Sequence, residues 1–435
     1  MANRKDPMGI GLAVLNRIAS SPAIDRLGLR KAAERAVYQG AKSGFQAAGT
    51  ANRTFKRVKG SGSGRRQSTA SDSGLFDLTP TEDQEMIVGV VREFAAEVLR
   101  PGADEADTGD STSKEVLSQT GEFGLTLLNV PEELGGLSEE RSAVTGVLVA
   151  EALAEGDMGQ AVACLAPAAV ATAISLWGSD EQQQTYLPAF TSDDVPAAAL
   201  ALSEPAPLFD PLVPATTARR EGGSIVIDGI KSAVVRGTEA ELFVVGVLLD
   251  GEPRLVIVES GAPGISLAED PSMGLRAASL TRLKLDGVTV DESALLGGAD
   301  DYREAVRLSR VAWAGLAIGT GKAVLDYVKE YVKTREAFGE PIAHRQSVAF
   351  MVANIAIELE GLRLVTLKAA SRLEQGRDAA REVALARRLA ADYGMKIGTD
   401  GVQLLGGHGF VKEHPVERWY RDLRALAVME GVVLV

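Results

Sequence analysis

The sequence predicts an α+β protein in which two helical parts flank a β domain. Two observations carry this reading. Residues 75–195 and 301–435 hold long segments whose apolar residues recur at helical spacing. Residues 196–300 change texture to short β-rich runs separated by turn residues. A chain of 435 residues, 46% hydrophobic and 24% charged, is long enough for more than one core.

Ahead of the helical part lies a basic arm, residues 1–59. In "GIGLAVLNRIA", Ile10, Val14 and Ile18 share one helical face, with Leu15 alongside. In "AIDRLGLRKAAERAVY", Asp25 suits a helix cap and Arg30, Lys31 and Arg35 suit an exposed face. The following "GSGSGRRQSTASDSG", residues 60–74, reads as a flexible linker. Residues 1–66 carry 14 Lys and Arg against 3 Asp and Glu, whereas the rest carries 32 against 56. An acidic body excludes nucleic acid as a natural partner, and a basic arm suits an anionic membrane surface or a partner protein. A disordered tail is the plainer reading. A mitochondrial transit peptide is a third, and Asp6, Asp25 and Glu34 count against it.

The first helical part, residues 75–195, opens on "TPTEDQEMIVGVVREFAAEVLRP". It has a Thr-Pro-Thr cap signal, and its helix is expected to close at Pro101. "RSAVTGVLVAEALAEG" and "APAAVATAISLWG" follow as small-residue helices of a bundle core. No apolar run reaches the roughly 18 residues that span a bilayer. In the middle part, "SIVIDG", "ELFVVGVLL", "PRLVIVE" and "LTRLKLDGVTV" read as strands. The last part, residues 301–435, contains three long helical segments, ending near Thr334, Leu373 and Leu405.

The single cysteine, Cys164, excludes an internal disulfide framework and suits a reducing compartment. With His344, His408 and His414 it makes no metal-ligand pattern, so no metal is expected. "GLAIGTGKAV" imitates a phosphate loop, but its glycine spacing is wrong and Ala323 follows Lys322. It reads instead as small residues in a tightly packed helix. "RRLAADYGMK" reads as a solvated helix face.

In the last third, "YVKTREAFGEPIAHRQSVAFMVANIAIELEG" resembles the Arg-x-x-Phe-Gly-x-Pro-Ile segment of the acyl-CoA dehydrogenase family. "GVQLLGGHGFVKEHPVERWYRDLRALAVMEG" resembles that family's Gln-x-x-Gly-Gly, Pro-x-Glu-Arg-x-Tyr-Arg-Asp and Glu-Gly segments, in the same order and spacing. Weaker similarity runs back to about Phe76 through "NVPEELGG", "ALSEP" and "IDGIKSAVVRGTEA". The resemblance implies an N-terminal helical domain, a middle β domain and a C-terminal four-helix bundle. It also implies FAD as cofactor, an acyl-CoA substrate dehydrogenated to a trans-2-enoyl-CoA, and an electron-transfer flavoprotein as acceptor. It implies a homo-oligomer, dimer or tetramer, in which FAD contacts come from a neighbouring subunit. A bacterial cytoplasmic enzyme, peripheral at the inner membrane through its arm, is the expected setting; a mitochondrial one is the alternative.

The resemblance also assigns residues. Glu430 is the α-proton base, standing alone in the apolar run "ALAVMEGVVLV". A carboxylate in such a run is desolvated, as removal of a weakly acidic α-proton requires. Gly431 leaves room for substrate. Some relatives carry the base on the helix beginning "RLSRVAWAG"; here that place is Ser309, before Arg310, which resembles the family's arginine near the active site. Arg335 and Gln346 resemble contacts to the diphosphate and adenosine end of FAD, with Phe338 packed nearby. Gln403, Gly406 and Gly407 resemble the loop that approaches the same part of FAD from the neighbour. A guanidinium fork and a glycine pair both suit a diphosphate. Ser203 offers a hydroxyl to the flavin edge.

The sequence also departs from the family. Its usual Gly-Ser-Asp after Ser203, Glu204 and Pro205 is absent, Ala233, Val234 and Val235 replace a Trp-Ile-Thr, and Val432 replaces a threonine. One subunit of a hetero-oligomer, or a non-catalytic scaffold of the same fold, is the alternative these departures leave open.

Overall fold

The computed structural model of the protein describes residues 79–137 and 141–435. The basic arm and the Gly/Ser linker lie outside them. Chain contacts divide the molecule into two units, residues 1–90 and 91–435. Of the first unit, residues 79–90 are described, and they begin helix α1 (Glu82–Phe94). Its start is a capping box: Thr81 Oγ1 accepts from the Gln84 amide at 3.2 Å, and Gln84 Oε1 accepts from the Thr81 amide at 3.0 Å.

The second unit has three layers. The helix does not close at Pro101. A π turn, Ala95–Leu99, carries the chain on into α2 (Arg100–Thr108), whose first turn contains Pro101. Proline fits there beside the π turn, where the regular i→i−4 ladder is already interrupted. Helices α3 (Lys114–Phe123), α4 (Ala143–Gly156), α5 (Met158–Trp177) and α6 (Asp180–Tyr186) follow. Ser113, Ser142, Asp157 and Ser179 cap them, each accepting from a backbone amide three residues on. Contrary to the sequence reading, α5 is long and apolar enough to cross a membrane by length and composition. Alanines alternating with larger residues let it bury 83% of that window in the core instead.

The middle layer is an eight-stranded sheet: β1 (Ala198–Ala201), β2 (Thr217–Glu221), β3 (Ser224–Val235), β4 (Leu242–Leu249), β5 (Glu252–Glu259), β6 (Ile265–Glu269), β7 (Leu280–Asp291) and β8 (Leu295–Leu296). The order is β6-β7-β3-β2-β4-β5-β8, with β1 parallel to β4. Its core includes Ile225, Ile227, Phe243, Val245, Val256, Val258, Leu283 and Leu285. The β3–β7 pairing slips twice, at 227/229 and 231/234. Such bulges re-aim side chains, and here Lys231 points inward with none of its surface exposed.

The last layer is built on α7 (Ala299–Thr334), α8 (Gln346–Glu374), α9 (Ala380–Leu405) and α10 (Val416–Arg424). A two-stranded hairpin, β9 (Glu336–Ala337) with β10 (Glu340–Pro341), joins α7 to α8. The phosphate-loop imitation lies wholly within α7. There a Cβ on Gly315 would meet the Val147 carbonyl of α4 at 3.2 Å, so the glycine permits close helix packing.

Candidate active site

Glu430 lies just beyond α10, after a 3₁₀ turn at Ala425–Ala427. It is 5% exposed. Its neighbours Met429 and Gly431 and residues 432–435 are buried with it. Two glycines make this path feasible. Gly431 adopts φ 74°, and a Cβ there would stand 2.8 Å from the Leu202 side chain. Gly146 of α4 leaves space for Val435, whose Cα would lie 2.9 Å from an added Cβ. Val432 follows with φ 75°, a left-handed conformation that strains a β-branched residue.

Several groups hold this segment. The Ser203 hydroxyl donates to the Glu430 carbonyl at 2.7 Å and accepts from the Glu430 amide at 3.2 Å. The Gly431 carbonyl accepts from the Ser309 hydroxyl at 2.7 Å and from Trp313 Nε1 at 2.9 Å. Ser309 therefore anchors the backbone of the glutamate segment from α7, and Trp313, fully buried, does the same one turn on. Sequence reasoning did not single out Trp313.

The carboxylate itself meets two arginines. Arg310 of α7 grips it with both ends of its fork: Nε is 3.0 Å from Oε2, and Nη2 is 3.0 Å from Oε1. Arg387 of α9 approaches from another side, with Nη2 3.2 Å from Oε1. Arg387 Nη1 donates to the Leu426 carbonyl. Burial pulls the Arg387 guanidinium below its usual range; Glu430 opposes that effect and Arg310 adds to it.

Arg387 corrects the sequence reading of "RRLAADYGMK" as a solvated face. Arg388 does face solvent, paired with Asp392 one turn later. Arg387 stands one position earlier, about 100° around the helix, and only 15% of its side chain is exposed. Adjacent arginines cannot share a helix face, and that signal was legible in the pattern.

Beneath Ser203 lies a buried ion pair. Lys231 Nζ is 2.7 Å from Glu204 Oε1 and 3.3 Å from the Leu202 carbonyl. The same carboxylate accepts from the Ala215 and Thr216 amides at 2.8 and 2.9 Å. Ser203 is thus held on both sides by groups fixed to Lys231.

A second locus is a cavity of about 520 Å³ lined by Tyr331, Arg335, Ile342, Gln403, Leu404, Leu405, Gly406, Gly407 and His408. The structure brings Arg335, Gln403, Gly406 and Gly407 together within one chain. Gly406 ends α9 at φ 58°, ψ −131°, a conformation open to glycine. Neither Gly406 nor Gly407 has an atom within 4 Å of an added Cβ, so the backbone there is bare. Tyr331 and His408 share a 2.8 Å hydrogen bond at the wall. Phe338 and Gln346 do not line this cavity. Phe338, 96% exposed, sits on the hairpin under the Arg345 guanidinium, and Gln346 is exposed at the start of α8.

A bare glycine backbone beside an arginine fork fits the diphosphate of a dinucleotide. At the other end, the Ser203 hydroxyl is engaged with Glu430, and Ala233, Val234 and Val235 bring no polar side chain. The Ala233 amide is taken by Asp270 at 2.9 Å.

A helical layer, a β sheet and a helical bundle, with a buried carboxylate on one locus and a dinucleotide-type cavity on another, define a flavoenzyme-like class of protein. The comparisons with known proteins are specific. Residues 81–194, 199–288 and 297–433 match the N-terminal, middle and C-terminal domain models of acyl-CoA dehydrogenase. The chain is similar to the cyclohex-1-ene-1-carbonyl-CoA dehydrogenase of Geobacter metallireducens, 32% identical over 81% of this chain and 95% of that protein. It is also similar to the 3-(aryl)acrylate reductase of Clostridium sporogenes, at 30% identity over the same shares. Among solved structures, butyryl-CoA dehydrogenase from Megasphaera elsdenii superimposes with a TM-score of 0.75 at 27% identity, over 82% of this chain and 96% of that one. The chain belongs to the acyl-CoA dehydrogenase family: it is an FAD-dependent oxidoreductase acting on CH–CH donors.

Proposed function

We propose that the protein dehydrogenates an acyl-CoA thioester to its trans-2-enoyl-CoA, with Glu430 as the base that takes the α-proton. The observation that carries this is the placement of one carboxylate, almost wholly buried, at the end of a rigidly held segment. Fixing the backbone through Ser203, Ser309 and Trp313 limits how the carboxylate can turn, which favours a productive approach to one C–H bond. Arg310 and Arg387 orient the carboxylate, and the apolar residues 432–435 keep water away. The FAD, when bound, supplies the acceptor for the β-hydrogen. Arg335, with the amides of Gly406 and Gly407, holds its diphosphate, and Gln403 the adjoining nucleotide.

The reading extends to a homo-oligomer in which the cavity of one copy serves the glutamate of another, to an electron-transfer flavoprotein as acceptor, and to a bacterial cytoplasmic setting. One subunit of a hetero-oligomer is a second reading, favoured by the committed Ser203 hydroxyl and the apolar Ala233, Val234 and Val235. Visible flavin absorbance of the purified protein alone separates the two. Glu430→Gln keeps the shape of the side chain and removes its basicity. It should lower the rate of flavin reduction by acyl-CoA by about 10²–10⁴-fold while bound FAD is retained. A variant as fast as the parent refutes the assignment.

A further inference from the structure

The carboxylate of Glu430 is shared by two part-buried guanidiniums. Among the described residues it is the sole ion-pair partner of Arg310 and of Arg387. The side chains of the three are 24%, 15% and 7% exposed for Arg310, Arg387 and Glu430. Two cations therefore face one anion in a place largely closed to water. An excess positive charge there is poorly compensated, because a desolvated charge needs a partner of opposite sign. An unsubstituted acyl chain brings only methylenes to such a site. A second carboxylate brings the missing charge, in a planar form that two guanidinium forks can grip.

We propose that Arg310 and Arg387 form a carboxylate subsite, and that the acyl group of the substrate carries a carboxylate of its own. This rests on the reading of Glu430 as the base. Geometry narrows the class further. Both guanidiniums already lie within 3.2 Å of the Glu430 carboxylate. A substrate carboxylate that reaches them must therefore sit only a few bonds from the carbon that Glu430 deprotonates. The substrate class is the CoA monothioester of a short dicarboxylic acid. Arg310, the more exposed of the two, meets the incoming group first. Arg387, pinned to the Leu426 carbonyl, fixes the far side.

The test uses the FAD-loaded full chain and two probes of equal chain length, pentanoyl-CoA and glutaryl-CoA. Equilibrium binding by calorimetry and flavin reduction by stopped flow are both read. The parent should bind glutaryl-CoA about tenfold or more tightly than pentanoyl-CoA, the effect of one good charge-assisted contact. In Arg387→Leu that ratio should fall toward one, and Arg387→Lys should keep part of it. Equal binding of the two esters by the parent overturns the proposal even if the leucine variant does not fold. A ratio unchanged in Arg387→Leu overturns it as well. If pentanoyl-CoA binds and reduces flavin while glutaryl-CoA does no better, the subsite is refuted and the base assignment stands. If neither ester binds or reduces flavin, the function itself is refuted, and the subsite with it.

Discussion

Removing the ammonium of Lys231 should destabilise the β layer far more than a surface substitution would. Lys231 and Glu204 have side chains 0% and 3% exposed and lie 2.7 Å apart. Burial pulls the Lys231 ammonium down to about 8, against the pull of Glu204, so at neutral pH it remains mostly charged. Burial raises the Glu204 carboxyl, but the Lys231 charge and the Thr216 and Ala215 amides outweigh it and hold the group below its usual range. The asymmetry has a physical cause: the carboxylate has two backbone donors besides its partner, whereas the ammonium has one carbonyl. Lys231→Met keeps the volume of the stem and leaves Glu204 charged, buried and without a cation. The loss includes one charge-assisted hydrogen bond, about 1.5–3 kcal/mol, and the stranded charge brings the total to about 3–5 kcal/mol. Adding Glu204→Gln removes the stranded charge and should recover more than half of that loss. Urea unfolding, followed by far-UV circular dichroism and by the exchange of β3 and β4 amides, measures both. A single variant within about 1 kcal/mol of the parent, or a double variant less stable than the single, refutes the reasoning.

Four further outcomes follow. Arg335→Ala should weaken FAD binding to the apoprotein by about 1.5–3 kcal/mol in a fluorescence titration, and unchanged affinity would make that arginine structural. Gly431→Ala places a methyl 2.8 Å from Leu202 and strains a left-handed backbone, so it should lower both the thermal midpoint and the rate of flavin reduction; a variant equal to the parent in both would contradict the packing described. Burial, reinforced by Asp157, raises the Asp422 carboxyl well above its ordinary 3.8. The folded state then keeps a proton that the unfolded chain has released, so this group's contribution to stability is full below about pH 4 and is lost as pH rises toward neutrality. Asp422→Asn should gain on the parent in urea midpoint across that window, and parallel pH profiles would count against it. The arm, residues 1–59, should bind anionic vesicles at low salt through its basic residues, about 1 kcal/mol each, while the chain from Ser73 onward stays in solution; equal sedimentation of the two would remove the membrane reading.

The layer order is legible along the chain, because helical and strand periods are local properties and the two changes of texture, near residues 196 and 301, follow them. The sequence also pointed to Glu430, through the resemblance to the family's closing Glu-Gly segment; the apolar run alone equally suits a terminal glutamate that reaches solvent. Strands β1 and β2, "AALA" and "TARRE", escaped it: one is alanine and leucine only, the other mostly polar, and both exist because neighbouring strands supply their hydrogen-bond partners. Tertiary structure alone decided what Glu430 touches. Arg310, Arg387 and Ser203 lie 120, 43 and 227 residues from it in sequence, and no pattern along the chain records such a meeting. It likewise turned Lys231 inward, since a bulge in a strand pair is set by the register of both strands. The charge balance at the carboxylate, two cations to one anion, arises only where three elements distant in sequence converge on one buried point.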